Sequence, residues 1–184
     1  MTNLIAPVII IVLAIALIFA ANKQRKKDGF VDYDERQLLI RGNAFQYSFY
    51  AVCIYGTLYF LYTRFGGHEL MQDGVAVFLG VLLGIAVFAV YSTLSGAQFT
   101  KSSPMKAFLI IYGIAILANL LSTGIHIHEH DFVQDGVLTD AIIYPAVALT
   151  FLAAFIATLV QGVRDKRAEA EDADEDVAEQ PGDE

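Results

Sequence analysis

The sequence VAVFLGVLLGIAVFAVYSTL, residues 75–94, contains no charged side chain. A helix of this length, at about 1.5 Å per residue, is about 30 Å long, which is the thickness of the hydrocarbon core of a membrane. A helix on the surface of a soluble protein would carry a polar stripe, and this stretch has none. Residues 75–94 therefore predict a transmembrane helix.

Four further runs are equally apolar. They extend over 4–21, 44–62, 105–123 and 141–160, and none has an Asp, Glu or Arg in its middle. Continuous runs of this length favour helices over barrel strands, because barrel strands alternate polar and apolar residues over about ten positions. The sequence predicts an all-α polytopic membrane protein with five transmembrane helices, in a transmembrane domain over residues 1–164.

The composition also favours an apolar environment. The chain has 184 residues, of which 56% are hydrophobic and 17% charged, whereas soluble domains have about 45–50% apolar and about 25% charged residues. The net charge of −8 comes largely from the C-terminus, where the last sixteen residues hold nine of the twenty acidic residues. Because so few side chains there are apolar, we expect residues 165–184 to form a disordered acidic tail.

The basic residues predict the orientation in the membrane. The cluster Lys23, Arg25, Lys26 and Lys27 follows the first apolar run, which is the reverse of the order in a secretory signal peptide. With the N-terminus outside, eleven of the twelve Lys and Arg residues fall in cytoplasmic segments, and Arg64 alone lies outside. The positive-inside rule then predicts a multi-pass protein of the plasma (cell) membrane with its N-terminus outside and its C-terminus in the cytoplasm.

A polar motif precedes the run at 44–62. It reads Tyr33-Asp34-Glu35-Arg36-Gln37, then Arg41-Gly42-Asn43-Ala44, and leads into a run rich in Tyr and Phe. The motif resembles one found in uncharacterised small multi-span membrane proteins of Gram-positive bacteria. The resemblance covers fifteen to twenty residues, and it implies a location in the bacterial cell membrane but no particular chemistry.

Two interpretations of this motif remain open. It is a docking surface for a cytoplasmic partner or for lipid headgroups, or it only sets the topology and begins a helix. An Asp32 and Glu35 capping box would begin that helix at about Tyr33. The candidate docking residues are Asp34, Glu35, Arg36, Gln37, Arg41 and Gly42.

Three small residues recur at a spacing of four within residues 75–94. These residues, Ala76, Gly80 and Gly84, would form one ladder along a helix. Small residues at this spacing let two transmembrane helices approach closely. We interpret the ladder as a packing surface, either for another helix of this chain or for a second copy in a homodimer.

The histidines offer the most specific chemistry, because neutral imidazole is a common ligand of zinc and copper. On a helix, His126 and His130 would be one turn apart beside Glu129, whereas in an extended segment alternate histidines would share one face. A complete site would still need His68 or an acid such as Asp135. A pH sensor and a plain polar loop are the alternatives. The candidate metal ligands, all in predicted outer loops, are His126, His128, His130 and His68.

The chain has no P-loop, no G-x-S-x-G motif and no acidic or basic residue in the middle of an apolar run. Pumps and ion-coupled carriers usually need such intramembrane charges. We therefore predict a non-enzymatic protein that needs no cofactor and contacts the lipid bilayer rather than nucleic acid. Its expected role is an accessory, assembly or immunity-type subunit beside a larger membrane partner. The alternative is an extracytoplasmic sensor or binder of protons or divalent metal.

Overall fold

The computed structural model describes residues 33–72, 74–99 and 105–178. The predicted first span, 4–21, and the basic cluster after it lie outside these residues. The described part is mostly helical. Its elements are α1 (Glu35–Gly66), α2 (Val75–Leu94), α3 (Met105–Glu129), β1 (Val133–Gln134), β2 (Val137–Leu138), a 3-10 helix (Asp140–Ile142) and α4 (Ile143–Ala178).

Three helical segments of the described chain are long and apolar enough to cross a membrane. They are α2, α3 and the segment Asp140–Ala168, which contains the first part of α4. The predicted span 44–62 is helical as part of α1, but its tyrosines and Gln46 make α1 less apolar than the other three. The helical class is thus confirmed. The described residues contain three helices that could cross a membrane, where the sequence predicts five spans.

The helices pack in the spatial order α1, α2, α4, α3. In this arrangement most of the buried residues are small, while many large apolar side chains, such as Phe45, Val77 and Leu149, are exposed. This distribution suits a membrane, where lipid solvates large apolar side chains and close packing of small residues holds helices together. The buried small residues include Ala44, Ser48, Ala76, Ser92, Thr93, Ala148, Ala154, Ala157 and Thr158.

Helix α3 is longer than the run that predicted it. It begins at Met105, as the prediction for 105–123 requires, but it continues to Glu129. His126 and His128 therefore lie on its last turn rather than in a loop. The helix continues because no Gly-Pro or Asn-Gly break follows Gly124, and an isolated glycine costs only about 1 kcal/mol inside a helix.

Helix α4 also extends beyond its predicted span. Thr139 begins the 3-10 helix, its hydroxyl accepting a hydrogen bond from the amide of Ala141 at 3.3 Å, and α4 then runs from Ile143 to Ala178. The prediction of a disordered tail from residue 165 differs from the structure, in which residues 165–178 are helical. The physical reason is composition, because Ala, Glu, Lys and Arg have high helix propensity.

Candidate functional site

The end of α3 is turned back on itself at His130. This residue has a φ of +57°, in the left-handed region, where Asn, Asp and His are enriched among residues with a side chain. The turn brings the amide of Asp131 to 3.4 Å from the carbonyl oxygen of His126, to which it donates. The carboxylate of Asp131 consequently lies beside the imidazole of His126.

A β-hairpin follows and holds Asp131 from the other side. Strands β1 and β2 are joined by Asp135 and Gly136, with φ values of 51° and 81°, as a type I′ turn requires. The hydroxyl of Thr139 donates to the carbonyl oxygen of Asp131. The sequence interpretation missed this hairpin, although the dipeptide Asp135-Gly136 between two short segments that each begin with valine is a hairpin signal.

The hairpin also joins the segment before α2. The amide of Gln72 donates to the carbonyl oxygen of Leu138 at 2.9 Å. The amide of Leu138 in turn donates to the carbonyl oxygen of Leu70, also at 2.9 Å. Met71 and Leu138 form a parallel bridge. The two segments that were predicted as outer loops therefore meet at the same end of the protein.

Three side chains converge at this end, and we call them the His126 cluster: His126, Glu129 and Asp131. Nδ1 of His126 lies 2.8 Å from Oδ2 of Asp131 and 3.9 Å from Oε2 of Glu129. One ligand atom from each residue can be chosen so that all three lie within 4.8 Å of one another. Among the described residues, these three form a cluster with the spacing of a metal site.

Aromatic rings fix the imidazole in place. The ring of Tyr144 stacks on His126 with 4.7 Å between centroids and 19° between planes. The ring of Phe132 meets His126 edge-on at 6.4 Å. Because His126 and Asp131 are half-buried while Glu129 is exposed, two members of the cluster are held and the third is free to adjust.

The structure separates the predicted metal ligands from one another. His126 belongs to the cluster, whereas His68, His128 and His130 are exposed and lie outside it. In the cluster, His126 lies beside the carboxylates of Glu129 and Asp131 and not beside a second imidazole. The sequence signal for them was present, since both acids lie between or beside the histidines, but their geometry depends on the left-handed turn at His130.

At the opposite end, the polar motif contacts the chain that follows α2. Nε2 of Gln37 donates to the carbonyl oxygens of Gly96 and Phe99, both at 3.3 Å. The guanidinium of Arg41 donates to the carbonyl oxygen of Ala97 at 3.4 Å and lies 5.5 Å from the ring centroid of Phe88. These two docking candidates thus bind a segment of this chain.

The other docking candidates lie at the surface of the described chain. Asp34, Glu35, Arg36 and Gly42 are exposed. Helix α1 begins at Glu35, two residues after the predicted start at Tyr33, and Asp32 of the predicted capping box lies outside the described residues. A surface for a partner on this motif would therefore consist of its first residues rather than of Gln37 and Arg41.

The C-terminus of α2 explains why polar side chains gather there. Gly96 has a φ of +73°, and the amides of Gly96 and Ala97 donate to the carbonyl oxygens of Thr93 and Ser92, which is a Schellman motif. Nη1 of Arg164, on α4, donates to the carbonyl oxygen of Leu94 at 3.4 Å. Cationic side chains are favourable at this negative end of a helix dipole.

The small-residue ladder faces α1. A Cβ on Gly80 would lie 2.9 Å from Cδ1 of Tyr55, and one on Gly84 would lie 2.7 Å from Cγ2 of Val52. The close approach leaves an apolar groove of about 450 Å³ between the two helices. Its lining residues are Phe45, Ser48, Phe49, Val52, Val81, Gly84, Ile85 and Phe88.

Comparison with known protein families, with curated proteins and with solved structures finds no match. Function is therefore inferred from three features of the described chain. These are the His126 cluster, the contacts of the polar motif, and the exposed apolar surface of α3.

Proposed function

We propose that this protein is a multi-pass protein of the bacterial cell membrane with five spans, its N-terminus outside and its C-terminus in the cytoplasm. Charge segregation supports this orientation. Arg41 and Arg164 meet the chain at the C-terminus of α2, whereas the end that carries the hairpin is acidic. Among the described residues at that end, the acidic ones are Glu69, Glu129, Asp131, Asp135 and Asp140, against a single Lys or Arg, which is Arg64.

The orientation has a direct test. An exterior-specific reporter enzyme fused after Glu184 should be inactive, and the same reporter inserted after Asp135 in the hairpin should be active. Activity of the fusion after Glu184 would overturn the proposed orientation.

Within that topology, we propose that the protein is a non-enzymatic accessory or assembly subunit of a larger membrane protein. The supporting observation is the surface of α3. No residue of this 25-residue apolar helix is buried against the rest of the described chain, although α3 packs beside α4. The other two helices that are apolar enough to cross a membrane each bury part of their length.

One face of α3 has the composition of a helix-packing surface. Gly113 and Gly124 lie eleven positions apart, which is about three helical turns, so both glycines and Leu117 and Leu120 share a face. A Cβ on either glycine would meet no described atom within 4 Å, and Leu117 and Leu120 are 61% and 53% exposed. Small residues between large ones let a second transmembrane helix approach closely, and we commit to a helix of a larger membrane protein as the occupant.

The test uses photocrosslinking in the native membrane. A photoreactive amino acid at Leu117 should give one adduct, identified by mass spectrometry as a different membrane protein. The same amino acid at Val77, which is 73% exposed on α2, should give none. Gly113→Leu should abolish the Leu117 adduct, while the control Gly56→Leu, on α1 at a position with equal space, should retain it.

Three outcomes contradict the proposal. A Leu117 adduct of twice the chain mass would identify a homodimer, and no protein adduct at all would identify a lipid-facing surface. Transport activity of the purified protein alone in liposomes would show that it needs no larger partner.

A further inference from the structure

We propose that His126, Glu129 and Asp131 bind a divalent transition-metal ion, which Zn²⁺ would represent in experiments. This inference does not rest on the accessory role. The ligand set differs from the one that histidine content alone predicts, because it contains one imidazole and two carboxylates.

The distances within the cluster are close to those of a coordinated ion. Zinc binds imidazole nitrogen and carboxylate oxygen at about 2.0–2.2 Å in tetrahedral geometry, so two ligand atoms on one ion are about 3.4 Å apart. Nδ1 of His126 lies 2.8 Å from Asp131 and 3.9 Å from Glu129. Coordination thus requires His126 and Asp131 to separate by about half an ångström, and His126 and Glu129 to approach by about as much.

The cluster can make this small adjustment of distances, because two of its side chains are held by neighbouring residues and the third is exposed. His126 stacks on Tyr144, and the backbone of Asp131 is bound by Thr139 and by the turn at His130. The side chains of His126 and Asp131 are 23% and 30% exposed, against 57% for Glu129. Two ligands are therefore positioned before an ion arrives, and the exposed glutamate completes the set of three.

The charge around the cluster attracts cations. No Lys or Arg occurs between Lys106 and Arg164 in the sequence, so the acids at this end have no basic neighbour within that stretch. Oδ1 of Asp131 is buried and has no hydrogen-bond partner among the described residues. A buried carboxylate oxygen without a partner is unfavourable, and the charge of a cation bound at Oδ2 of the same carboxylate would offset part of that cost.

The ligand types select the class of ion. Imidazole nitrogen suits zinc, copper and nickel, whereas magnesium and calcium prefer oxygen ligands alone. The single cysteine, Cys53, lies on α1 and is no part of the cluster. Three protein ligands leave one position of a tetrahedral ion for water, as in open zinc sites.

The experiment is titration calorimetry of the full-length protein in detergent, purified with a tag that contains no histidine. ZnCl₂ should bind at one site per chain, and an excess of CaCl₂ should not compete. Because Glu129→Gln and Asp131→Asn remove one charged ligand each with little change of shape, each should weaken Zn²⁺ binding by at least about tenfold. The matched control is the double variant His128→Ala/His130→Asn, which removes both exposed imidazoles, keeps a residue that tolerates the left-handed backbone at position 130, and should bind as the wild type does.

A second measurement separates binding from folding. Zn²⁺ should raise the unfolding temperature of the wild type and of the control, since a ligand that binds only the folded state stabilises it. At the same Zn²⁺ concentration it should raise the unfolding temperature of Asp131→Asn less. Wild-type-like helix content by circular dichroism would show that the variants are folded.

Three results would overturn the inference. One is no saturable Zn²⁺ binding by the wild type. Another is equal binding by the wild type, Glu129→Gln and Asp131→Asn. The third is loss of binding in the His128→Ala/His130→Asn control, which would assign the site to the exposed histidines.

Discussion

Gly84 of α2 lies directly against Val52 of α1, so that a Cβ on Gly84 would be 2.7 Å from Cγ2 of Val52. We predict that Gly84→Ala destabilises the protein by about 1–3 kcal/mol, because two side chains would occupy the same space. Unfolding in mixed micelles, followed by circular dichroism, measures this change. Val52→Ala in the same chain should restore most of the loss.

The control for this prediction is Gly56→Ala on α1. A Cβ at Gly56 meets no described atom within 4 Å, and alanine favours helix over glycine by up to about 1 kcal/mol. Gly56→Ala should therefore be neutral or stabilising. Equal effects of the two substitutions would contradict the close packing of α1 on α2.

Arg41 joins the beginning of α1 to the chain that follows α2. We expect Arg41→Ala to lower the free energy of unfolding by about 1–2 kcal/mol, because it removes a charged hydrogen-bond donor to Ala97 and the contact with Phe88. Arg36→Ala, an exposed position on the same helix, is the control and should change stability little. A larger loss in Arg36→Ala would refute this assignment.

The hairpin turn depends on Gly136, whose φ is +81°. We predict that Gly136→Ala destabilises the hairpin by about 1 kcal/mol or more, because a residue with a Cβ is strained in the left-handed region. Faster hydrogen exchange at the amides of Gln72 and Leu138, measured by mass spectrometry, would report it. Gly74→Ala is the control, because Gly74 has a φ of −73° and an added Cβ would meet open space. The same acceleration of exchange in this variant would contradict a specific role of Gly136 in the turn.

Thr139 uses its hydroxyl twice, donating to the carbonyl oxygen of Asp131 and accepting from the amide of Ala141. Thr139→Val keeps the shape but removes both bonds at a buried position, so we expect a loss of about 1–2 kcal/mol in thermal unfolding experiments. Thr150→Val is the matched control, since the Thr150 hydroxyl donates to the carbonyl oxygen of Ala146 within its own helix. If both variants unfold alike, Thr139 does not hold the hairpin as described.

Local sequence predicted some elements closely. The run 75–94 coincides with α2, because it is uncharged throughout and glycines flank it at Gly74 and Gly96. The ends of α3 and α4 were harder to predict. Hydropathy marks where a helix leaves the hydrocarbon layer, but a helix continues beyond that point when its residues have helix propensity, as those after Arg164 do.

The roles of individual polar residues could be predicted only in part. Sequence pattern located the histidines and the motif around Arg41. It grouped His126 with His128 and His130, and it left open whether Gln37 and Arg41 belong to a docking surface or only to a helix start. In the structure, His126 meets carboxylates, and Gln37 and Arg41 bind carbonyl oxygens some sixty positions further along the chain. Such pairings depend on contacts that no local pattern contains.

The sequence by itself determined that this chain is helical and suited to a membrane, because the cost of placing each segment in lipid or water is a sum over its own residues. The tertiary structure decided which side chains meet. The left-handed turn at His130 and the hairpin closed by Gly136 bring Asp131 to His126, and the packing of Gly84 on Val52 sets α1 against α2. These contacts depend on the backbone conformation at the turns and on the packing of segments that are distant in the sequence, and neither is contained in a local sequence pattern.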